Sequence, residues 1–302
     1  PRPAPSRRGW VGRPGLAVPS TDNPGGPSSQ PTGRLVAIME HPNGLAVDEH
    51  MPSDRRPGDP VVVLIHGSLD RASSFARVIR RLPDLHTIAY DRRGYYRSRD
   101  VMPIADTLDM HIDDLFSVIA DRPAVVIGHS FGGTIALGAA LRDQPASTIH
   151  ALAAFEPPLP WLPIPGNRAS RERKYDDDPA LVSEQFFRRV VGNSAWDRLS
   201  DAAKNERRLD GPALAAEMRS IRQSEPPFDA TQLAIPAVFG RGDRSAPRQR
   251  GGVQWLSEHV VGSEVIEFPG SGHGAHLSHP DAFAALVRRT VERAARSVES
   301  TS

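Results

Sequence analysis

Short runs of apolar, mostly β-branched residues recur along this chain, and they constrain its fold more than any other feature. The clearest is "VVVLIHG" at 61–67. It lacks the polar–apolar alternation of a half-exposed strand, which is typical of a strand buried on both faces of a parallel sheet. Similar runs recur at 86–91, 124–130, 149–156, 236–243 and 264–270. Between them the apolar spacing follows the helical period, so the chain predicts a parallel sheet with helices on both faces.

A hairpin precedes these units. "RLVAIME" (34–40) and "LAVDEH" (45–50) are joined through Asn43-Gly44, which predicts two antiparallel strands and a type I′ turn. With this hairpin the sheet has eight strands. The predicted fold class is therefore α/β, with an eight-stranded, mostly parallel sheet. Helices are predicted at 73–82, 107–120, 131–143, 249–260 and 281–298.

Two regions depart from the alternation. Residues 1–32 hold eight prolines and little apolar periodicity, which predicts a disordered N-terminal extension. Between Glu156 and Ala234 no strand pattern occurs, and three helix-like segments follow a proline-rich stretch. So long a helical insertion between two core strands indicates a cap, residues 157–233, over the carboxyl edge of the sheet. The α/β core then comprises 33–156 and 234–302.

Composition excludes several function classes. A net charge of +1 gives no general attraction to nucleic acid or to an anionic membrane, and the absence of cysteine excludes disulfides and a thiol nucleophile. No apolar run has the length of a membrane span, and the first residues lack the apolar core of a signal peptide. We expect a cytoplasmic protein with a small-molecule substrate, and the sequence leaves room for a homodimer.

The segment "GHSFGG" (128–133) places Ser130 between two glycines, directly after an apolar run and before a helical pattern. This strand–turn–helix context is that of a nucleophile elbow. Gly128 and Gly132 would provide the space that so sharp a turn requires. Ser130 is therefore the predicted nucleophile.

A serine hydroxyl needs a base and an acid that orients it. His273 follows the last strand in "GSGHGAH", and Asp243 ends the preceding strand in "GRGD". The order Ser130, Asp243, His273 is the one this kind of site uses, so Asp243 is the predicted acid. Glu156, at the end of the 149–156 run, is the rival candidate for the acid; its other interpretation is a brace for the hinge of the cap beside Pro157-Pro158.

The oxyanion hole is predicted to use the backbone amides of Phe131 and Ser68, with Ser68 favoured over Leu69. Four apolar side chains are candidates for the substrate pocket: Leu69, Trp161, Phe186 and Phe187.

The other histidines favour structural roles. His66 is expected to order its loop through a hydrogen bond and not to act as a base, and His129, next to Ser130, is expected to be structural. The spacing of His273, His276 and His279 invites a metal site, but helical ligand pairs usually need a supporting carboxylate in place. We therefore expect no metal.

Together these motifs carry a family resemblance. The sequence resembles the α/β-hydrolase superfamily, in its cap-bearing esterase, lactonase and haloperoxidase-like branch. The resemblance covers about residues 34–296, and Tyr96 departs from the glycine usual at its position. Besides Ser130, Asp243 and His273 in their motifs, it rests on "HG" at 66–67 and "DRRGYYRS" at 91–98. It implies a serine-hydrolase mechanism without a metal or organic cofactor.

The expected activity is hydrolysis of a small-to-medium carboxylic ester or lactone through an acyl-enzyme. Hydrolysis of a C–C bond and cofactor-free perhydrolysis stay open, because they use the same triad. A non-hydrolytic ligand sensor on the same scaffold is the alternative from a different class. A serine argues against epoxide or haloalkane hydrolysis, which needs a carboxylate nucleophile.

Overall fold

The computed structural model describes residues 34–56, 58–144, 148–172, 178–222 and 225–301. The predicted extension 1–32 lies outside the described residues. One sheet of eight strands has the order β1-β2-β4-β3-β5-β6-β7-β8, parallel from β4 to β8. The strands are β1 (Arg34–Glu40), β2 (Ala46–Met51), β3 (Val61–Ile65), β4 (Thr87–Tyr90), β5 (Ala124–His129), β6 (Ile149–Phe155), β7 (Ala237–Gly242) and β8 (Glu264–Phe268). This confirms the predicted α/β fold class.

Eleven α-helices lie among the described residues, with short 3₁₀ turns at 72–75, 96–98 and 230–232. The helices are α1 (Ala76–Ile79), α2 (Leu108–Ile119), α3 (Phe131–Asp143), α4 (Asn167–Arg171), α5 (Pro179–Val190), α6 (Asn193–Asp197), α7 (Asp201–Leu209), α8 (Gly211–Ser220), α9 (Pro247–His259), α10 (Ala275–Ser278) and α11 (Pro280–Thr301). The helix predicted at 73–82 is shorter, because its first turn is 3₁₀.

Two separate apolar cores lie on the two faces of the sheet. In β3, Val61, Val63 and Ile65 point into one core, and Val62 and Leu64 point into the other. Helices α2, α3 and α9 cover the first face, whereas α1 and α11 cover the second. Because both faces are covered, every residue of β3 is buried, which explains its unbroken apolar sequence.

The first hairpin forms, but its turn differs from the prediction. The His41 carbonyl accepts a hydrogen bond from the Gly44 amide at 2.7 Å, so Pro42 and Asn43 occupy the centre of the turn. Only Gly44 in this turn has a positive φ, +80°. A type I′ turn needs positive φ at both central residues, and the ring of Pro42 forbids it there. The type I′ prediction was therefore wrong.

The segment predicted as a cap, residues 157–233, joins β6 to β7; it is called the insertion here. Its described part contains helices α4 to α8 and one 3₁₀ turn. Val182, Leu214 and Met218 from this segment pack into the core that also contains α2 and α3. Among the described residues, no helix is both long enough and apolar enough to span a membrane.

Candidate active site

A cavity of about 480 Å³ opens at the carboxyl edge of the sheet, between the strand ends and the insertion. Ser130 follows β5, Glu156 follows β6 and His273 lies in the loop after β8, and all three line this cavity. Met218 and Ile221, at the end of α8, line its opposite side. The volume suits a small to medium organic molecule.

Ser130 occupies a strained backbone position between β5 and α3. Its φ is +51° and its ψ is −125°, a conformation rare for residues other than glycine. A Cβ at Gly128 would lie 2.2 Å from the Gly132 carbonyl oxygen, and one at Gly132 would lie 2.1 Å from that of Ile65. Only glycine fits at either position, so this turn requires the first two glycines of the "GHSFGG" motif.

His273 is held by a buried carboxylate. Its Nδ1 lies 2.7 Å from Oε2 of Glu156, whose side chain is fully buried. The second carboxylate oxygen, Oε1, accepts a hydrogen bond from the Gly242 amide at 2.8 Å. Glu156 itself has a positive φ of +47°. With Nδ1–H donated to Glu156, the Nε2 atom of His273 is the nitrogen left to act as a base.

The predicted acid, Asp243, does not take this place. Asp243 is exposed and does not line the cavity. Its backbone amide donates a hydrogen bond to the Phe268 carbonyl oxygen, at the end of β8, at 3.3 Å. The prediction that Asp243 partners His273 was wrong. The neighbouring Gly242 contributes its amide to Glu156 instead, so the end of β7 supplies a backbone donor and the end of β6 supplies the carboxylate.

His129 contacts the backbone of His273. Its Nε2 lies 2.8 Å from the His273 carbonyl oxygen, so this nitrogen must carry the proton and donate. Burial, with the nearby His276 and His273, holds the pKa of His129 well below its ordinary value, so the ring is neutral. This contact fits the structural role expected for His129.

A second group of polar side chains adjoins the site. Asp70, His129 and His276 each bring one ligand-type atom within 4.8 Å of the others, a spacing that could hold a metal ion. Oδ2 of Asp70 already accepts a hydrogen bond from Nε2 of His276 at 3.1 Å. The set differs from the spacing noted in the sequence, because His273 pairs with Glu156 and His279 pairs with Ser278.

The two predicted oxyanion donors lie beside Ser130. The Phe131 amide is at the first position of α3, where no intrahelical acceptor exists. A Cβ at Gly67 would lie 2.8 Å from Cβ of Ser130, so the loop carrying Ser68 approaches Ser130 closely. Ser68 also lines the cavity. Both residues predicted to supply an oxyanion amide therefore lie close to Ser130.

The loop after β3 is fixed by buried polar groups. Nε2 of His66 accepts a hydrogen bond from the Arg92 amide at 2.9 Å, and its Nδ1 lies 2.8 Å from the Gly67 carbonyl oxygen. Burial and the Arg92 charge lower the pKa of His66 to about 3, so the neutral ring can accept at Nε2. The loop-ordering role expected for His66 agrees with these contacts. Sequence reasoning missed Arg92 and its partner on α8, Glu217.

Three of the four predicted pocket residues do not line the cavity. Leu69 is buried, Trp161 packs edge-on against Phe228, and Phe187 packs against Trp196. Phe186 does line it. Trp161, Phe186 and Phe187 all pack against the core that contains α2 and α3, so burial in that core accounts for these rings better than lining of the cavity does. The apolar lining comes mainly from Leu159, Ile164, Met218, Ile221 and the prolines 157, 158 and 160.

Comparison with known proteins gives concordant results. A family model described as "Alpha/beta hydrolase family" matches residues 62–286. An epoxide hydrolase A of Mycobacterium tuberculosis is 29% identical over 259 residues, covering 82% of this chain and 73% of that protein. A pimeloyl-[acyl-carrier protein] methyl ester esterase of Pectobacterium atrosepticum is 27% identical over 252 residues, covering 76% and 93%. The crystal structure of an enol-lactonase from Burkholderia xenovorans LB400 superimposes with a TM-score of 0.62 at 17% identity, covering 83% of this chain and 98% of that one.

Proposed function

The chain belongs to the alpha/beta hydrolase family, and from that premise we propose that it is a serine hydrolase acting on a small-to-medium carboxylic ester or lactone. The observation that carries the proposal is the 2.7 Å contact between His273 and the buried Glu156, in the same cavity as the strained Ser130. Relatives named for ester and lactone hydrolysis support the substrate class.

In the proposed first half-reaction, Oγ of Ser130 attacks the carbonyl carbon while Nε2 of His273 takes the hydroxyl proton. Glu156 keeps the imidazole in the tautomer with its proton on Nδ1 and stabilises the imidazolium that forms. The amides of Ser68 and Phe131 donate to the oxyanion of the tetrahedral intermediate. His273 then gives its proton to the leaving alkoxide, and an acyl-Ser130 ester remains.

In the second half-reaction a water molecule attacks the acyl carbonyl. His273 takes a proton from that water and returns it to Oγ of Ser130 as the acyl bond breaks. A carboxylic acid is released, and for a lactone the acid and the alcohol belong to one product. Every step uses side chains and amides at three strand ends and one loop, and none of them calls for a metal or an organic cofactor.

The nucleophile separates this proposal from epoxide opening. One relative is named an epoxide hydrolase, and that chemistry passes through an alkyl ester on an enzyme carboxylate. Here a hydroxyl occupies the turn after β5. A hydroxyl that attacked an epoxide carbon would leave an ether that water does not readily cleave. Acyl transfer is therefore the chemistry that Ser130 suits.

The insertion is proposed to act as a cap that limits substrate size. Met218, Ile221, Ile164 and Phe186 from this segment provide apolar walls, and about 480 Å³ of space is available. We expect acyl chains of short to medium length to fit. An ester series that varies only in acyl length reports the length of the pocket.

The test uses p-nitrophenyl esters from acetate to decanoate, with the wild type and Ser130→Ala. We expect turnover by the wild type and a kcat reduced by ~10⁴–10⁶ in the variant. A fluorophosphonate probe should add its mass to Ser130 alone. Absence of both turnover above background and the adduct would reject the serine hydrolase and favour a ligand sensor on this scaffold.

A further inference from the structure

Helix α8 of the insertion reaches the loop after β3 through one buried carboxylate. Glu217 is fully buried, and its Oε2 lies 2.8 Å from Nη2 of Arg92, whose side chain is 1% exposed. The Tyr95 hydroxyl donates to the same oxygen at 2.9 Å, and the Ser68 hydroxyl donates to Oε1. All three donors to this carboxylate come from outside the insertion. One of them is Ser68, the residue predicted to supply an oxyanion amide.

Arg92 continues the connection to the backbone of the loop. Its Nε donates to the His66 carbonyl at 2.9 Å, and its Nη2 donates to the Gly67 carbonyl at 2.9 Å. The guanidinium carbon also lies 5.1 Å from the ring centre of Phe131 and 4.8 Å from that of Tyr95. One side chain therefore contacts the residues on both sides of the proposed oxyanion hole.

The direction of the Gly67 carbonyl decides the direction of the next amide. In a trans peptide the C=O and the following N–H are antiparallel, so the carbonyl of Gly67 and the N–H of Ser68 point in opposite directions. Arg92 and Nδ1 of His66 hold this carbonyl on their side of the loop. The N–H of Ser68 must consequently face away from Arg92. Any rotation of this peptide would move the amide by the same angle.

We propose that Glu217 is a positioning residue for the oxyanion hole: from the insertion, it orients the Ser68 amide through Arg92 and through the Ser68 hydroxyl. This inference rests on the proposed serine hydrolase, because an oxyanion forms only if Ser130 attacks a carbonyl. It also makes the docking of α8 a condition for catalysis, so the insertion contributes to the chemistry as well as to substrate selection.

The arrangement favours positioning over simple attachment of the insertion. A buried ion pair is a costly way to hold two segments together, and well-packed apolar residues often stabilise as well or better. What the pair adds is direction: the planar guanidinium fixes two carbonyls and a carboxylate at once. Burial and the nearby Glu217 raise the pKa of Tyr95 well above its ordinary value, so its hydroxyl stays a donor to Glu217.

The matched variant is Glu217→Gln, which keeps the shape of the side chain and removes its charge. We expect kcat for the best p-nitrophenyl ester to fall ~10–100-fold, because one donor to the oxyanion is misdirected. We expect KM to change less than threefold, since the ground-state carbonyl needs this amide little. Phosphonylation of Ser130 by the fluorophosphonate, which also forms a charged tetrahedral centre, should slow by the same factor as kcat.

The control is Asp210→Asn, which weakens another link between the insertion and the core. Asp210 accepts hydrogen bonds from Arg99 at 2.8 and 3.0 Å and from the Tyr96 amide at 3.1 Å, and none of these groups belongs to the loop after β3. If attachment of the insertion were all that mattered, both variants would lose kcat alike. We expect Asp210→Asn to keep kcat within twofold of the wild type.

Two milder variants cover the case in which Glu217→Gln fails to fold. Ser68→Ala and Tyr95→Phe each remove one hydrogen bond to Glu217 and leave the Arg92 pair in place. We expect Ser68→Ala to lower kcat ~3–10-fold at unchanged KM and Tyr95→Phe to have the smaller effect. If the wild type is labelled at Ser130 but Glu217→Gln or, failing that, Ser68→Ala is labelled at the wild-type rate, the positioning role is rejected and the hydrolase stands. If the wild type itself is not labelled, the proposed function fails first.

Discussion

The ends of β6 and β7 are adjacent in the sheet, and each is followed by an acidic residue, yet only one acid reaches the candidate site. Glu156, after β6, is fully buried and pairs with His273 at 2.7 Å. Asp243, after β7, is exposed and offers only its backbone to the end of β8. The two carboxylates have the same charge and follow neighbouring parallel strands. What separates them is the course of the backbone in the two or three residues after each strand.

At the end of β6 the chain turns sharply, because Glu156 adopts a φ of +47° and its amide donates to the Gly240 carbonyl at 3.0 Å. This turn directs the side chain towards His273. At the end of β7 the chain passes through Gly242, whose amide completes the cage around Glu156. A strand end can therefore serve a site with a side chain or with a bare amide, and the residue type alone does not tell which.

Of the substitutions that separate the two strand ends, Glu156→Gln should reduce kcat the most. The amide would place an NH₂ or a neutral oxygen against Nδ1 of His273, so the ring would lose the partner that fixes its tautomer and stabilises its charge. We expect kcat on p-nitrophenyl esters to fall by ~10⁴. A variant that retained more than a tenth of wild-type kcat would remove Glu156 from the site.

Gly242→Ala should disturb the contribution of β7, the backbone amide that donates to Glu156. A Cβ there would lie 2.3 Å from the Ser271 carbonyl oxygen, so the backbone must move away from the loop that leads to His273. We expect a loss of ~1–3 kcal/mol in the free energy of unfolding in urea, together with a lower kcat, because the amide leaves Glu156. Gly251→Ala in α9 is the control, since the nearest atom there is a movable Ile164 methyl group at 3.1 Å.

His129→Leu tests how far His273 depends on support other than Glu156. The variant removes the donor to the His273 carbonyl and leaves Glu156 untouched. Loss of this hydrogen bond should destabilise the native position of His273 by ~1–2 kcal/mol. We therefore expect a roughly tenfold lower kcat. The pH profile of kcat should keep its shape, because the partner at Nδ1 is unchanged. A displaced profile would contradict this division of roles.

Stability should fall as the pH drops below about 6.5, because His66, His111 and His129 stay neutral in the folded protein. Burial holds the pKa of all three below the ordinary value, to about 3 for His66. The unfolded chain binds protons that the folded chain excludes, so each histidine lowers the free energy of unfolding by ~1.4 kcal/mol per pH unit in this range. His111→Leu should reduce the slope by one such share, measured by urea unfolding at pH 7.5, 6 and 5. An unchanged slope would contradict burial of a neutral His111.

Asp243→Asn should have the smallest effect and completes the comparison. The side chain is exposed and does not line the cavity, so its charge is screened by solvent. We expect kcat/KM on esters within twofold of the wild type and an unchanged urea midpoint. A loss of a hundredfold or more would return Asp243 to the role that the sequence first suggested.

Most of the fold could be predicted from sequence because its signals are local. The buried strands have no alternation, and α3 begins and ends at the predicted residues 131 and 143. The failure in the first hairpin was also local, since Pro42 fixes the turn one residue earlier than the Asn43-Gly44 pair suggests. Tyr96 has a φ of +46°, in the left-handed region that favours glycine, so the departure from the glycine expected from the resemblance falls at a strained backbone position.

The site was only partly predictable, for a different reason. Ser130 can be recognised from the glycines that its turn requires, and His273 from its position after the last strand. Glu156 and Asp243 both satisfy the order of the chain, and the choice depends on a turn that no glycine marks. Arg92 and Glu217 meet over 125 residues of sequence, and the pocket residues depend on how the insertion packs. Contacts of that range are set by the whole fold.

The most direct measurement labels Ser130 in the wild type, Glu156→Gln and Asp243→Asn with one fluorophosphonate, and follows the intact mass of each protein over time. Labelling needs no knowledge of the natural substrate, and it depends on the same activated hydroxyl and oxyanion amides as acyl transfer. We expect Asp243→Asn to react at the wild-type rate and Glu156→Gln to react ~10³–10⁴ times more slowly. A slow Asp243→Asn beside a fast Glu156→Gln would contradict this expectation.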